Sequence, residues 1–422
     1  MTSHQIISSE ISGSIPLPPS KSAAHRALIC TALAGGGKIT GIADSQDMLA
    51  TLDVLSAMGA VAASHGNTVT VSAAKLPSNI VNVNARESGS TLRLAMPVLA
   101  ALGVHCIISG EGRLPSRPLG VYSECLPEHG VKLSSGSLPL EMSGKLTAGT
   151  YGIPGNISSQ FISGLLLALP LCDGDSNIIL TTELESAPYV DMTIDMMEQF
   201  GISVERFSGG WSVQGRQHYR SRNTTVEGDW SQAAFPLAMG VLGGEVTLSG
   251  MDMNSRQGDR AVFDILRRMG ADISAKGGHI TCRRSRLRGI SINASDIPDM
   301  VPILAVLGAF ADGVTEITGA ARLRIKESDR LAAITQCLTA VGAKIIEHED
   351  GLSITGQPKL PGGAEVNGHN DHRIVMSMAT AAIGCEKPLI IHDTDAVNKS
   401  WTDFFSQYIH LGGKANVVNF GK

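Results

Sequence analysis

Residues 262–275, VFDILRRMGADISA, place a short amphipathic helix, a glycine and an alternating strand in direct succession. Apolar residues recur at the three- and four-residue spacing that marks one face of a helix. Gly270 stands where a glycine in the left-handed conformation commonly ends a helix. The alternation over 271–275 then predicts a strand. This stretch decides the fold, because the same succession recurs along the whole chain.

Six segments share this helix–glycine–strand pattern. The other five lie at 52–64, 122–134, 193–206, 334–347 and 404–417. Their stop glycines are Gly59, Gly130, Gly201, Gly342 and Gly412, which together with Gly270 are spaced 69 to 72 residues apart. A period this regular strongly indicates internal repetition.

A second set of six helices alternates with the first and is apolar on nearly all sides. Its members lie at 23–36, 90–103, 158–174, 231–244, 298–313 and 371–384. Helices that are hydrophobic all round are expected to be buried. Each repeat of about seventy residues therefore holds two helices and several strands. Six such repeats exceed one ordinary domain, so we expect three repeats in each of two domains.

The composition is that of a core-rich globular protein. Of the 422 residues, 43% are hydrophobic and 17% are charged, which excludes a disordered chain. The net charge of −5 gives no sign of a nucleic-acid partner. The seven cysteines are scattered without a Cys-x-x-Cys pair, as expected of reduced core thiols. We find no signal peptide and no apolar run long enough to span a bilayer, so we expect a cytoplasmic protein.

The motifs that would indicate a cofactor or a metal are incomplete or absent in this sequence. Residues 35–40 resemble a phosphate-binding P-loop, but Ile39 stands where Ser or Thr must follow the lysine. The sequence has no Gly-x-Ser-x-Gly nucleophile elbow and no His-Glu-x-x-His zinc motif. No cofactor and no metal are therefore expected.

The chemistry is expected at the starts of the buried helices. Residues that suit an N-cap precede them, namely Ser20, Ser88, Ser158, Asp229, Asp296 and Asn370–Asp371. For Asp229 and Asp296, capping and a chemical role both remain open. Arg26, Arg93 and Arg373 lie early in their helices, where a cation opposes the helix dipole. They become favourable when an anion binds the free N–H groups of the helix start, so the sequence predicts a multiply charged anionic ligand.

Three further segments are rich in cations: 112–118, 322–330 and 398–400. For 322–330 the alternative is a solvated loop that leads into a helix capped by Ser328 or Asp329. For His372, a structural and a catalytic role are both open.

Ordered motifs along nearly the whole chain are similar to those of the EPSP synthase family of enolpyruvyl transferases. They are PPSKSAAHRAL (18–28), ESGSTLR (87–93), GRLPSRPLG (112–120), SSQFISGLL (158–166), ESAPYVDMT (185–193), VEGDWSQAA (226–234), IPDM (297–300), RLRIKESDR (322–330), NDHRIVM (370–376) and VNKSWTDFF (397–405). The resemblance implies an α/β fold, a two-domain inside-out α/β barrel of six βαβαββ-type repeats. The implied domains are 1–19 with 227–422, and 20–226, which close over their substrates.

The resemblance also implies an activity. The carboxyvinyl group of phosphoenolpyruvate would be transferred to the 5-hydroxyl of shikimate 3-phosphate by addition and elimination, with release of phosphate. This step belongs to the biosynthesis of chorismate and the aromatic amino acids. The two small molecules are the expected partners, without nucleic acid or membrane, and the chain is expected to act as a monomer.

The family motifs carry substrate-binding and catalytic roles over to matching positions. Implied contacts to shikimate 3-phosphate are Lys21, Ser22, Arg26, Ser158, Ser159, Gln160, Ser186, Tyr189, Asp299 and Lys326. Implied contacts to phosphoenolpyruvate are Lys21, Gly89, Arg93, Arg117, Gln160, Arg330, Arg373 and Lys399, with His372 close by. Asp299 resembles the base that faces the 5-hydroxyl, and Glu327 the acid that protonates the methylene carbon; Lys21 is the third implied catalytic residue.

Some positions depart from the family pattern, namely Glu87, Ala187, Arg322–Leu323 and Trp401–Thr402. The main rival is the related transferase that uses UDP-N-acetylglucosamine. It usually carries a reactive cysteine in the loop that matches 111–118 and a Lys-Asn pair where this chain has Lys21–Ser22, and this chain has no cysteine in that loop. A non-catalytic anion-binding scaffold is the other alternative, and it would not need Asp299 and Glu327 together.

Overall fold

A computed structural model describes residues 2–418 and divides the chain into two compact units. The middle unit is Pro19–Val226, and the terminal unit combines the chain up to Pro18 with the chain from Glu227 onward. Each unit has its own hydrophobic core. The predicted boundary placed Pro19 in the terminal unit, whereas it lies against Gly41 of the middle unit. That each unit is an independent domain stays a prediction.

The terminal unit begins with two strands, β1 (Ser3–Ile7) and β2 (Ile11–Pro16). The elements of the middle unit follow. Its helices are α1 (Lys21–Leu33), α2 (Gln46–Leu55), α3 (Gly89–Ala101), α4 (Gly120–Glu128), α5 (Ser159–Ala168) and α6 (Ala187–Gln199). Its strands are β3 (Gly36–Thr40), β4 (Ala60–His65), β5 (Thr68–Ala73), β6 (Val81–Asn84), β7 (Cys106–Ser109), β8 (Val131–Leu133), β9 (Leu140–Gly144), β10 (Thr150–Ile153), β11 (Ser176–Leu180), β12 (Glu205–Phe207), β13 (Gly210–Val213) and β14 (Thr224–Thr225).

The terminal unit then continues to the end of the described chain. Its helices are α7 (Trp230–Gly243), α8 (Ala261–Arg268), α9 (Val301–Ala309), α10 (Arg330–Ala340), α11 (His372–Ala381) and α12 (Phe404–His410). Its further strands are β15 (Gly244–Ser249), β16 (Asp272–Lys276), β17 (His279–Arg283), β18 (Ser291–Asn293), β19 (Val314–Thr318), β20 (Lys344–His348), β21 (Gly351–Thr355), β22 (Leu360–Gly362), β23 (Glu365–Asn367), β24 (Cys385–Lys387), β25 (Leu389–His392) and β26 (Lys414–Val418).

Each repeat builds one four-stranded sheet with the same order of strands. In the second repeat, β6 pairs in parallel with β7, and α3 connects the two strands; Val83 lies opposite Ile108. The antiparallel pairs β7–β9 and β8–β9 complete the order β6-β7-β9-β8. The chain order β6-α3-β7-α4-β8-β9 is therefore one βαβαββ unit. The prediction of an α/β fold built from such units is confirmed.

Chain segments from outside a repeat complete the sheets at the unit boundaries. β2 pairs in parallel with β15 and so supplies the first strand of the fourth repeat. β1 lies between β25 and β26 and supplies the last strand of the sixth. β14, at the end of the middle unit, pairs in parallel with β3 of the first repeat. Both N-terminal strands are thus held in the terminal unit by hydrogen bonds to segments distant in sequence.

The apolar helices form the interior of each unit, as their sequence predicts. α1, α3 and α5 pack together in the middle unit, and α7, α9 and α11 do so in the terminal unit. α9 is buried along its whole length, because it carries no charged residue. Some predicted bounds were wrong: α6 begins at Ala187 rather than near 193, since Pro188 suits the first turn of a helix.

The stop glycines confirm the predicted helix ends. All six have φ between 75° and 96°, a conformation that disfavours residues with a side chain. The seven cysteines, all among the described residues, are buried and unpaired, as the sequence predicts. Within residues 2–418, no helix combines the length and the apolar character needed to cross a membrane.

Two glycine substitutions, one at the end of α4 and one in the turn between β12 and β13, test how far close packing adds to the cost of a side chain. Gly130 and Gly209 are both left-handed, with φ of 84° and 88°, but a Cβ on Gly130 would lie 2.7 Å from the Lys145 carbonyl oxygen, whereas one on Gly209 meets nothing within 4 Å. We expect Gly209→Ala to lower the free energy of unfolding by about 1 kcal/mol, and Gly130→Ala to lower it by about 1–3 kcal/mol more. Urea unfolding measures both, and equal losses would contradict the role of the close contact.

Candidate functional site

Side-chain caps begin five of the six buried helices. The hydroxyls of Ser20, Ser88 and Ser158 and the carboxylates of Asp229 and Asp371 each accept a hydrogen bond from a backbone N–H in the first turn. Of the two roles left open for Asp296, the capping role is wrong. A 3-10 turn, Pro298–Met300, precedes α9, and no side chain caps that turn. The turn places Asp299, rather than Asp296, among the charged groups described below.

In the middle unit, Arg26 joins three helices. Its Nε donates to Thr193 Oγ1 at 2.7 Å, and its two Nη atoms donate to the carbonyls of Ser22 and Tyr189 and to Ser163 Oγ. Burial lowers the pKa of Arg26 to about 10, so the guanidinium remains charged at neutral pH. It therefore fixes α1 against α5 and α6, where Ser158, Ser159 and Tyr189 were predicted to act.

The N-terminus of α6 has an unusual backbone conformation. Ser186, another predicted substrate contact, is buried and has φ of 57°. A left-handed residue other than glycine is uncommon and often marks a functional site. The strain is stabilised locally, since the Tyr189 N–H donates to the Ser186 carbonyl.

A second group in the middle unit surrounds Gly89, the first residue of α3. A Cβ on Gly89 would lie 2.8 Å from an Nη1 atom of both Arg93 and Arg117. Arg93 donates to Gln160 Oε1 at 3.0 Å, and Gln160 Nε2 donates to Ser90 Oγ at 2.8 Å. The structure thus brings together the predicted residues of two helix starts and the 112–118 loop. The missing side chain at Gly89 lets two guanidinium groups lie directly against the start of α3.

Lys21, at the start of α1, has a partner that the sequence did not reveal. Its ammonium lies 2.7 Å from Asp47 Oδ2, and both side chains are largely buried. Next to it, His25 Nδ1 forms a hydrogen bond with Thr51 Oγ1, and Thr51 Oγ1 forms one with Thr91 Oγ1. Both hydrogen bonds are 2.7 Å long. Burial, with Lys21 and Arg26 nearby, holds the pKa of His25 well below its usual value. A neutral histidine therefore links α1 through α2 to α3.

The terminal unit holds a denser group of charges around Arg330, whose side chain is 2% exposed. Its Nε donates to Asp371 Oδ2 at 2.7 Å, its Nη1 to Asp299 Oδ1 at 2.7 Å and its Nη2 to Glu327 Oε2 at 2.8 Å. Although burial opposes the charge, these carboxylates raise the pKa of Arg330. We call Asp299, Lys326, Glu327, Arg330, Asp371 and Arg373 the terminal cluster.

Asp299 is the carboxylate on which the cations of the terminal cluster converge. Besides Arg330, it lies 3.2 Å from Arg373 Nη2 and 3.5 Å from Lys326 Nζ. Burial alone would raise the pKa of Asp299, but Arg373, Lys326 and Arg330 hold it well below its usual value. Asp299 is therefore ionised, and 23% of its side chain remains exposed.

Arg373 and Lys399 lie near the start of α11. Arg373 is buried, and its Nε and Nη1 have no hydrogen-bond partner within residues 2–418. Lys399 Nζ donates to the Asn370 carbonyl at 2.7 Å. His372 is buried next to the capping residue Asp371. A guanidinium that is buried with two donor atoms unused is suited to bind an anionic group.

For segment 322–330 the sequence left open a cationic site or a solvated loop that leads into a helix. Different residues of the segment fit each of these alternatives. Asp329 caps α10, and Arg324 pairs with Asp329 and Glu347 outside the cluster. Lys326, Glu327 and Arg330 enter the terminal cluster instead. Arg324 lies in a 3-10 turn, Ala321–Ile325, whereas Lys326 and Glu327 follow that turn and Arg330 begins α10. Among the departures from the family pattern, Leu323 is buried in the core and Glu87 lies against Gly112.

Sequence reasoning missed two of the acids that pair with the cations, Asp47 as the partner of Lys21 and Asp371 as a partner of Arg330. Asp47 follows a serine cap in residues 44–47, and Asp371 was identified only as a cap. Each stands within two residues of a helix start, which is the one signal that the sequence offered. Across residues 2–418, no group of three or more His, Cys, Asp or Glu side chains is arranged to hold a metal ion. The site residues themselves supply cations, carboxylates and backbone N–H groups, which suit anion binding and proton transfer.

The fold is shared with solved enolpyruvyl transferases. The structure of EPSP synthase from Acinetobacter baumannii superposes with a TM-score of 0.84 at 27% identity, over 99% of this chain and 100% of that chain. The enolpyruvyl transferase NikO from Streptomyces tendae gives a TM-score of 0.81 over 99% of this chain and 98% of that one. At 18% identity, this second likeness concerns the fold alone. The architecture is therefore that of the enolpyruvyl transferases.

Sequence comparison makes the assignment narrower. The family model of EPSP synthase (3-phosphoshikimate 1-carboxyvinyltransferase) matches residues 6–408. A protein of that name from Clostridium kluyveri is 44% identical, over 98% of both chains. Another from Clostridium novyi is 43% identical, over the full length of both. This chain belongs to the EPSP synthase family.

Removing one charge tests how far the terminal cluster stabilises its unit. Asp371→Asn keeps a side chain that can cap α11 but leaves Arg330 without its fully buried partner. We expect the free energy of unfolding to fall by about 3–5 kcal/mol, as when a buried pair is broken. Asp329→Asn is the control, because Asp329 also caps a helix but is 36% exposed, and its loss should be below about 1 kcal/mol. Urea unfolding measures both, and similar losses would contradict the central place of Asp371.

Proposed function

We propose that this chain transfers the carboxyvinyl group of phosphoenolpyruvate to the 5-hydroxyl of shikimate 3-phosphate and releases phosphate. Membership of the EPSP synthase family supports the reaction. The observation that carries the proposal is the terminal cluster, where Lys326, Arg330 and Arg373 converge on Asp299 beside Glu327. One place thus offers cations for substrate anions and two carboxylates for proton transfer.

The substrates together carry two phosphates and two carboxylates, so they need many cationic and N–H donors. We assign shikimate 3-phosphate to Lys21, Ser22, Arg26, Ser158, Ser159, Gln160, Ser186, Tyr189, Asp299 and Lys326. We assign phosphoenolpyruvate to Lys21, Gly89, Arg93, Arg117, Gln160, Arg330, Arg373 and Lys399. The unused donors of Arg373 and the guanidinium pair at Gly89 support the second assignment, because arginine binds carboxylates and phosphates in a fork.

Asp299 is assigned as the base that takes the proton of the 5-hydroxyl. With three cations beside it, this carboxylate has a lowered pKa and is a weak base. Anionic groups of the substrates compete for the same cations, since Lys326 is assigned to shikimate 3-phosphate and Arg330 and Arg373 are assigned to phosphoenolpyruvate. When those cations bind the substrate anions instead of Asp299, the pKa of Asp299 rises and its basicity increases. The proposal thus couples substrate binding to activation of the base.

Glu327 is assigned as the acid. In the addition step, the hydroxyl oxygen bonds to C2 of phosphoenolpyruvate while Glu327 gives a proton to the methylene carbon, C3. In the elimination step, the bond from C2 to the phosphate oxygen breaks, C3 returns its proton to Glu327, and the departing phosphate takes the proton that Asp299 removed from the 5-hydroxyl. Glu327 has a fixed position for both transfers, because Arg330 Nη2 holds its Oε2 at 2.8 Å. The side chain is 19% exposed and so accessible to a ligand.

The same proposal covers the setting in which the enzyme acts. A net charge of −5 supports small-molecule substrates without a nucleic-acid partner. Seven buried, unpaired cysteines support a reducing compartment such as the cytoplasm. Because both sets of assigned residues come from one chain, we propose that the monomer is active.

Release of phosphate from phosphoenolpyruvate tests the function directly. Purified protein is assayed with shikimate 3-phosphate and, in parallel, with UDP-N-acetylglucosamine. We expect release with shikimate 3-phosphate and none with the nucleotide sugar. Release only with the sugar would identify the rival transferase. If folded protein binds phosphoenolpyruvate but releases no phosphate with either acceptor, the chain is an anion-binding scaffold.

Glu327→Gln tests the assigned acid. Glutamine keeps the shape and an oxygen that can accept from Arg330, but it cannot give up a proton. We expect both substrates to bind nearly as before and turnover to fall by about 10²–10⁴-fold, the usual contribution of a general acid or base. Binding is measured by calorimetry and turnover by phosphate release.

Glu347→Gln is the matched control. Glu347 pairs with Arg324 in the same unit but lies outside the terminal cluster, so its turnover should be unchanged. Full activity of Glu327→Gln, or an equal loss in both variants, would contradict the assignment.

A further inference from the structure

The start of α7 contains a buried polar group that the proposed function does not use. Gln232 is 2% exposed, in the third position of the helix. Its Nε2 donates to Ser400 Oγ at 2.5 Å. Its Oε1 has no hydrogen-bond partner within residues 2–418. Burying an amide is unfavourable unless its hydrogen bonds are made. The bond to Ser400 is the hydrogen bond that partly compensates for burying the Gln232 side chain.

Ser400 directly follows Lys399, one of the residues assigned to phosphoenolpyruvate. Residues Thr394–Lys399 form a 3-10 helix that packs against α11. Lys399 Nζ reaches across to the Asn370 carbonyl at 2.7 Å. The lysine is therefore held at its ammonium end by the loop before α11, and at its backbone end by the bond between Ser400 and Gln232.

The loop before α11 is itself tied to the residue that precedes the 394–399 segment. Asn370 and Asp393 are both left-handed, with φ of 51° and 58°, and the Asn370 N–H donates to Asp393 Oδ2 at 2.5 Å. Strained residues persist where the surrounding contacts over-determine them. The loop before α11 therefore contacts both ends of the 394–399 segment, through Asp393 at one end and Lys399 at the other. On the α7 side, Gln232 supplies a side-chain contact that fixes it.

We propose that Gln232 is a positioning residue, which through Ser400 holds the Lys399 ammonium where it binds phosphoenolpyruvate. This inference rests on the proposed function and adds to it a residue outside the assigned substrate contacts. A small displacement of a substrate-binding cation weakens binding and alignment. Since Ser400 adjoins Lys399 and Lys399 is assigned to phosphoenolpyruvate alone, loss of the bond should affect phosphoenolpyruvate and leave the binding of shikimate 3-phosphate largely intact.

Steady-state kinetics of the full-length protein test the inference through the two KM values. For Gln232→Ala we expect the KM for phosphoenolpyruvate to rise about 3- to 10-fold, the effect of one lost hydrogen bond. The KM for shikimate 3-phosphate should change by less than about twofold. Ser400→Ala removes the other half of the bond and should give the same pattern. The double variant should be no worse than either single one, because residues that share one bond are not additive.

Gln257→Ala is the matched control for a structural effect. Gln257 is also buried at the start of α7, where it accepts from the Trp230 N–H and donates to the Gly228 carbonyl. These two hydrogen bonds do not involve Ser400. Its loss should lower thermal stability without selectively raising the KM for phosphoenolpyruvate. The melting temperatures of all variants are measured alongside.

The outcomes separate this inference from the proposed function. An active wild type with an unchanged KM for phosphoenolpyruvate in Gln232→Ala would overturn the positioning role alone. An equal and selective rise in Gln257→Ala, or additive losses in the double variant, would also overturn it. A wild type that neither binds phosphoenolpyruvate nor releases its phosphate would overturn both.

Discussion

The buried guanidinium of Arg330 is the group on which the terminal unit's site depends. A charge that is 2% exposed is expensive to bury unless it is paired and hydrogen-bonded. Asp371, Glu327 and Asp299 provide that compensation, and in doing so they are fixed in space. The same interaction therefore stabilises the unit and orients the two carboxylates assigned to proton transfer. Under the proposed function, these groups are already in place before a substrate binds.

The repeat explains why the charged groups can be gathered at all. Each βαβαββ unit buries one apolar helix, and three such helices pack together in each unit. Their capped starts leave backbone N–H groups that attract anions. Arg26 and Arg93 in the middle unit and Arg373 in the terminal unit lie near those starts with most of their surface buried. Cations unfavourable for helix formation are thus kept beside the helix starts, where the proposed function places the anionic substrates.

Local patterns predicted the fold well, and they predicted individual contacts poorly. The stop glycines, five of the six caps and the buried helices follow from propensities acting over a few residues. Asp296 failed as a cap because Pro298 starts a 3-10 turn that shifts the helix start beyond it. Asp47 was missed as the partner of Lys21, since the two are 26 residues apart and only packing joins them. Family resemblance supplied the substrate roles, which geometry alone would not have named.

The sequence by itself determined the sixfold repeat, the alternation of buried and amphipathic helices, and the types of residue at each helix start. These are local properties, encoded by spacing and by the conformational freedom of glycine. Only the tertiary structure decided which polar side chains meet: that Lys21 pairs with Asp47, that Arg330 binds three carboxylates, and that Gln232 reaches Ser400. Such pairings depend on distance in space between segments far apart in the chain, and electrostatic energies change steeply with that distance and with burial.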